Sequence, residues 1–186
     1  MKIDNLTVVI PTKNGKYLKE FIKEMEWLLN SVTVIVIDSG GGELFKKFAD
    51  VYIQKDVSMR EARMIGYKNV KTDLILNLDD DTIIPIEFII NGIKMFIDNN
   101  VGAVTIDYEK SQGHYIFGAS IWNTEVLLEL YNFPEIITKL VEVEPQKWLT
   151  MSNRPYCECL FMWSKLRLAN KKLVPLSYKA KHLRSK

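Results

Sequence analysis

The sequence predicts an α/β protein, a single layered sandwich built on a mixed but mostly parallel central sheet. Three observations carry that expectation. Short apolar, β-branched runs alternate with amphipathic helical stretches through the first half of the chain. The second half is less regular, and its strands are expected to be partly antiparallel. Finally, the apolar run Leu74–Leu78 leads straight into Asp79, Asp80 and Asp81. No strand interior would hold three adjacent carboxylates, but the C-terminal end of a parallel strand is where such sheets bind ligands.

Taken in order, Leu6–Ile10 is a compact apolar strand ended by Pro11, and residues 11–15 form the loop after it. From Tyr17 onward, Leu18, Phe21, Ile22, Met25, Leu28 and Leu29 fall at the spacing of an amphipathic helix. Gly15-Lys16 is not a phosphate loop, because Ile10 stands at the first glycine position and Tyr17 where Ser or Thr belongs. Val32–Ile37 is a second, β-branched strand. It ends in Asp38-Ser39-Gly40-Gly41-Gly42, where glycines permit close backbone approach and a strand-end acid can accept from a base or ribose. A short helix over Glu43–Asp50 and a short strand over Val51–Ile53 follow. Ser58-Met-Arg-Glu61 fits a capping box, so a helix runs from there to about Val70. It carries Arg60 and Arg63 three apart, on one face just before the acidic strand end, which suits a phosphate partner.

Beyond the acids, a helix is expected over Pro85–Asp98, strands over Val101–Ile106 and His114–Ala119, and a helix over Asn123–Tyr131. Residues 134–155 read as partly loop. A helix over Tyr156–Asn170, a strand over Leu173–Leu176 and a basic tail complete the chain. No acid follows Glu158, whereas Lys165, Arg167, Lys171, Lys172, Lys179, Lys181, Arg184 and Lys186 do.

Composition bounds the function. With 186 residues, 47% of them hydrophobic, the chain can bury a substantial core as one domain. A net charge of +2 excludes a general nucleic-acid binder, and Tyr178 is the single aromatic in the basic tail. Cys157 and Cys159 lack the spacing and the second pair that a zinc site needs, so they read as reduced, packed thiols in a cytosolic compartment. Asp4 and Asn5 interrupt the N-terminus before the first apolar run, and no segment approaches the roughly 20 apolar residues of a membrane span. A cytoplasmic protein is expected, or one attached to the inner face of a membrane through its basic tail.

Four stretches in order resemble family 2 glycosyltransferases of the GT-A fold. They are Val8-Val-Ile-Pro-Thr-Lys-Asn14, Val36-Ile-Asp-Ser-Gly40, Glu61-Ala-Arg63 with Gly66, and Leu78-Asp-Asp-Asp81. The resemblance implies a nucleotide-binding half over residues 1–99, and an acceptor half with the basic tail over residues 100–186. Pro11, Thr12 and Asn14 would border the base and ribose of a nucleotide-diphosphate sugar, and Asp38 would face the base. Arg63 would lie near the nucleotide, and Arg60, Asp79 and Asp80 are expected beside it on the donor. Asp79 and Asp81 would be the outer members of the family's metal-binding Asp-x-Asp pair, with Mn²⁺ or Mg²⁺ as cofactor, and His182 would complete the shell. Gly118-Ala-Ser120 resembles the glycine-containing strand under the acceptor site. Many members carry two acids after the second strand, and here the second is Ser39. The family also has an acidic pair opening a late helix, with one acid as base; here Glu158 alone holds such a place, between Cys157 and Cys159.

Those residues permit inverting glycosyl transfer, with Glu158 taking the proton of an acceptor hydroxyl as the diphosphate departs. The acceptor, whether glycan, lipid-linked sugar or protein, is left open. Two other readings stand beside this one. A nucleotidyltransferase uses a related fold, although residues 11–16 lack the glycine- and arginine-rich loop of that class. A non-catalytic binding module could retain the fold without turnover.

Overall fold

The computed structural model describes residues 3–109, 116–131 and 158–183. Among them, strands β1 (Leu6–Thr12), β2 (Thr33–Asp38), β3 (Val51–Gln54), β4 (Leu74–Leu78), β5 (Thr82–Ile83), β6 (Val101–Tyr108), β7 (Ala119–Asn123) and β8 (Lys172–His182) form a sheet. Their order is β3-β2-β1-β4-β7-β6-β8-β5. The helices are α1 (Leu18–Leu29), α2 (Met59–Lys68), α3 (Ile86–Met95), α4 (Thr124–Leu130) and α5 (Glu158–Leu168), with a 3₁₀ turn at Glu43–Lys47.

Strands β1 to β4 are parallel, and every residue of β1 and β4 is buried, as expected of strands covered on both faces. Successive side chains serve opposite layers. Val8, Ile10, Val34, Val36, Leu76 and Leu78 pack with Phe21, Met25, Leu28, Phe88 and Ile89 of α1 and α3. Val9, Ile35, Ile37 and Ile75 pack with Tyr67, Leu127, Phe161, Met162 and Leu166 of α2, α4 and α5. The result is the expected α/β/α sandwich. The Cβ that Gly66 lacks would lie 2.3 Å from Val9 Cγ1, so the glycine lets α2 settle directly on β1.

The second half departs from expectation in three places. The strand expected over His114–Ala119 is found at Ala119–Asn123, and not over 116–118 among the described residues, inserted antiparallel between β4 and β6. Residues 110–115, His114 among them, lie outside the described residues. The stretch before β7 turns because side chains take its carbonyls: Thr105 Oγ1 donates to Ile116 O (2.7 Å), and Ser120 Oγ and Asn77 Nδ2 donate to Phe117 O (2.6 and 2.7 Å). The basic tail is no tail as far as His182. β8 runs 11 residues beside β6, with Lys172, Lys179 and Lys181 exposed and Ala180 buried. Pro175 pairs with Thr105 at the edge of a break in register between Thr105 and Asp107. The two-residue β5, which the sequence did not announce, pairs antiparallel with β8 so that Thr82 faces His182. The region 134–155, expected as partly loop, lies outside the described residues, as do Cys157, Arg184 and Lys186. No helix among the described residues is long and apolar enough to cross a membrane.

Candidate functional site

The C-terminal ends of β1, β2 and β4 open onto one edge of the sandwich, and the loops there are tied together. Asn14 and Gly15 adopt left-handed backbone (φ 75° and 54°), as does Gly41 (φ 82°). Asn14 N donates to Gly40 O (2.6 Å) and Ser39 N to Thr12 O (2.9 Å). A Cβ on Gly15 would meet Gly41 O at 2.1 Å, so glycine is required where the loops touch. Beside them Lys13, Asn14, Lys16, Tyr17 and Asp80 line a cavity of about 260 Å³.

Of the residues expected at the base and ribose, Pro11 and Thr12 are buried at the end of β1, and Asn14 is exposed on the loop. Asp38 is fully buried. Its Oδ1 accepts from Gly40 N (2.7 Å) and Gly42 N (3.1 Å), and its Oδ2 from the Tyr52 hydroxyl. The carboxylate therefore braces the glycine loop from beneath. Burial, then the hydrogen bond and charge of Asp38, hold the Tyr52 phenol above its ordinary pKa, so it stays a donor.

The three adjacent carboxylates are turned in three directions. Asp80 Oδ2 accepts from Thr12 Oγ1 at 2.6 Å. Asp81, 3% exposed, lies 3.6 Å by its Oδ2 from His182 Nε2, and its carbonyl accepts from Leu183 N (2.8 Å). Tyr108 packs edge-on against the His182 ring, centroids 5.0 Å apart. Its phenol is raised above the ordinary value, first by burial and then by the charges of Asp79, Asp81 and Cys159. Asp79 turns the other way, accepting from Arg63 Nη2 at 2.5 Å.

Arg63 organises the far wall. Ser58 caps α2 by accepting from Glu61 N (3.3 Å), and the helix drives Arg63 inward until it is 4% exposed. One guanidinium nitrogen donates to Asp79 and the other to Glu158 Oε2, while the plane lies 5.3 Å from the Phe117 ring. Burial is the largest single influence and acts to lower its pKa, but the charge and hydrogen bond of Asp79 together with Tyr67 and Tyr131 outweigh it and leave the group above the ordinary arginine value. Arg60 is half-buried one turn earlier, close enough to act electrostatically on Tyr131. Glu158, in the first turn of α5, is held at Oε1 by the Tyr131 hydroxyl. Stranding the buried Arg63 charge by removing its carboxylate partners costs up to about 3–5 kcal/mol.

The structure thus brings Arg63, Asp79 and Glu158 together, and Asp81 with His182. It does not gather Asp79, Asp81 and His182 into one preformed shell. Among the described residues no group of three or more His, Cys, Asp or Glu is arranged to hold a metal. The Asp81–His182 pair by itself suits a divalent ion. Two donors about 2.1 Å from one cation stand roughly 3–3.6 Å apart, and a carboxylate with an imidazole accommodates Mn²⁺.

Sequence reasoning missed Tyr52, Asn77, Tyr108, Phe117 and Tyr131. Asn77, buried in β4, accepts from the Tyr67 hydroxyl (2.8 Å) and donates to Phe117 O, fixing the turn under Asp79. A polar residue inside an apolar strand was the one visible signal; the tyrosines carry none.

The model of the family described as "Glycosyl transferase family 2" matches residues 7–143. No curated protein matches the chain. Among solved structures, the chain is similar to a mannosyltransferase from Pyrobaculum calidifontis, PcManGT, in complex with GDP-Man and Mn²⁺. The TM-score is 0.70 at 14% identity, over 93% of this chain and 55% of that one. It is also similar to S. aureus TarS 1-349, with a TM-score of 0.64 at 15% identity over 98% of this chain and 60% of that one. The same TarS fragment in complex with UDP matches with a TM-score of 0.61 at 15% identity, over 97% and 60%. The chain therefore spans little more than half the length of these structures.

Proposed function

Because the chain belongs to glycosyl transferase family 2, we propose that it transfers a sugar from a nucleotide-diphosphate sugar to an acceptor hydroxyl, with inversion at the anomeric carbon and with a divalent cation. What supports this is one juxtaposition. Arg63 joins Asp79, at the end of β4, to Glu158, at the start of α5, beside the Asp81–His182 pair. The solved structures with GDP-Man and Mn²⁺ and with UDP make the donor class and the cation natural choices.

In this reading the nucleotide lies across the strand ends, bordered by Pro11, Thr12 and Asn14. Asp38 lies beneath the base site and braces the glycine loop that borders it, and Asp80 lines the donor beside Thr12. Arg60 and Arg63 donate to the phosphates. Asp81 and His182, with Asp79 beside them, would hold Mn²⁺ or Mg²⁺, which supplies charge neutralisation to the departing diphosphate. The acceptor oxygen attacks the anomeric carbon as the bond from that carbon to the diphosphate oxygen breaks. Glu158 takes the acceptor's proton, and the electron pair leaves with the nucleoside diphosphate.

A thermal-shift panel of nucleoside diphosphates and their sugars with Mn²⁺ tests the proposal. One member should stabilise the parent, by about 2.7 kcal/mol at a hundredfold excess over Kd, and should fail to stabilise Asp81→Ala. That member should also be hydrolysed slowly by the parent, and about 10²–10⁴-fold more slowly by Glu158→Gln. No stabilisation by any member would sink the reading.

One observation favours a second reading, that of a donor-binding module without turnover. Glu158 is the only acid opening α5 and already holds Arg63 and Tyr131. Binding without hydrolysis would select it. The exposed lysines of β8 make peripheral contact with anionic membranes a further part of the proposal, although Lys172, Lys179 and Lys181 also pair with Asp98, Asp107 and Glu20. Flotation with acidic but not neutral vesicles is the expected result, at about 1 kcal/mol per surface cation.

A further inference from the structure

We propose that Tyr131 is a positioning residue for the Glu158 carboxylate, acting at the head of a two-point clamp that α4 closes on α5. The inference rests on the transfer reading above and deepens it.

The first point is the carboxylate itself. The Tyr131 hydroxyl donates to Glu158 Oε1 and Arg63 Nη1 to Oε2, so each oxygen has an assigned donor and the group cannot spin about its last torsion without losing both. The phenol is in turn immobile. Tyr131 is fully buried, stacked on Phe117 (centroids 6.0 Å apart, planes at 10°) and edge-on to Tyr67 (4.9 Å, 86°). Its backbone N–H closes α4 on Leu127 O at 2.8 Å. The second point lies seven residues along α5, on the same face and about 10 Å away by helix geometry. There Lys165, 4% exposed, donates to the carbonyl of Leu130, the residue next to Tyr131. A lysine so deeply buried takes up one of the carbonyls that the end of α4 leaves open.

The last residue of α4 and the residue that caps it therefore grip α5 at two places, setting the axial position of the helix and the plane of its first carboxylate. A base that must meet a proton within hydrogen-bond reach is sensitive to that plane, and a misplacement of about 1 Å can cost 10²-fold in rate. Neither residue has another part in the proposed chemistry.

The test uses slow hydrolysis of nucleotide sugars, with GDP-mannose and UDP-glucose as probes in Mn²⁺, in the parent, Tyr131→Phe and Lys165→Met. Tyr131→Phe keeps the ring and removes one hydroxyl. The expected result is a kcat lower by about tenfold or more, with the donor KM within about twofold of the parent and melting little changed. An unchanged kcat, or a changed KM at constant kcat, overturns the inference while leaving the transfer reading intact. Should Tyr131→Phe not fold, Lys165→Met decides by the same split. A parent that hydrolyses neither probe removes the transfer reading for these donors, and this inference with it.

Discussion

At Gly118 the backbone passes so close to Asp79 that a Cβ would lie 1.9 Å from its Oδ2 and 2.4 Å from its Cγ. The carboxylate cannot retreat cheaply, because Arg63 grips it and its own backbone N–H is bonded to Gly118 O at 2.9 Å. Gly118→Ala must therefore push Asp79 off Arg63 or lift the turn before β7. Overpacking of this sort costs about 1–3 kcal/mol. In a chain of this size that is a fall in Tm of roughly 2–12 °C. A thermal melt reads the cost, and stabilisation by Mn²⁺ with a nucleotide sugar should weaken alongside it. A Tm equal to the parent's would mean that Asp79 has room the structure does not give it. The same scale explains why three consecutive acids can coexist: each has its own partner (Thr12, Arg63 or His182), so their mutual repulsion is spread over separate contacts.

Helix α2 is the element on which the site turns. Its first two turns carry Arg60 and Arg63, Gly66 lets it lie against β1, and Tyr67 reaches Asn77 in β4. What starts it is Ser58, whose side chain takes the N–H of Glu61. Ser58→Ala should cost about 1 kcal/mol, or roughly 2–4 °C in Tm. It should also weaken nucleotide-sugar binding, because fraying of the first turn moves Arg60. Melting by circular dichroism and the thermal-shift response together check this, and loss of neither would show that α2 is held by packing alone. β8 makes the complementary point. Its lysines look like a solvated tail, yet alternate exposure with a buried Ala180 makes it a strand, and pairing with β5 delivers His182 to Asp81.

Across the molecule, buried phenols give the fold an alkaline limit. Burial is the first cause holding Tyr67, Tyr108 and Tyr131 above their ordinary pKa. Their neutral forms stabilise the folded state fully below about pH 10, where the unfolded chain titrates. That contribution is lost as pH rises from there through the folded-state values. Tm should hold steady to about pH 9.5 and fall above pH 10, with tyrosinate absorbance appearing together with unfolding. Tyrosinate appearing in a protein still folded would contradict the burial. Much of this architecture was legible in one dimension. The strand–helix alternation, the capping box at Ser58, the glycines after β2 and the acids after β4 all act through near neighbours, and local spacing reveals near neighbours. The sequence alone determined the layered parallel half and the edge at which its charged residues gather. Only the tertiary structure decided how those charges pair: Arg63 with Glu158 across 95 positions, Asp81 with His182, and Tyr131 over the carboxylate. The physical reason is that burying a charge requires a partner of opposite sign, and the chain supplies several candidates. Which one arrives depends on how β7 and β8 insert into the sheet, a choice made by packing among residues far apart in the chain.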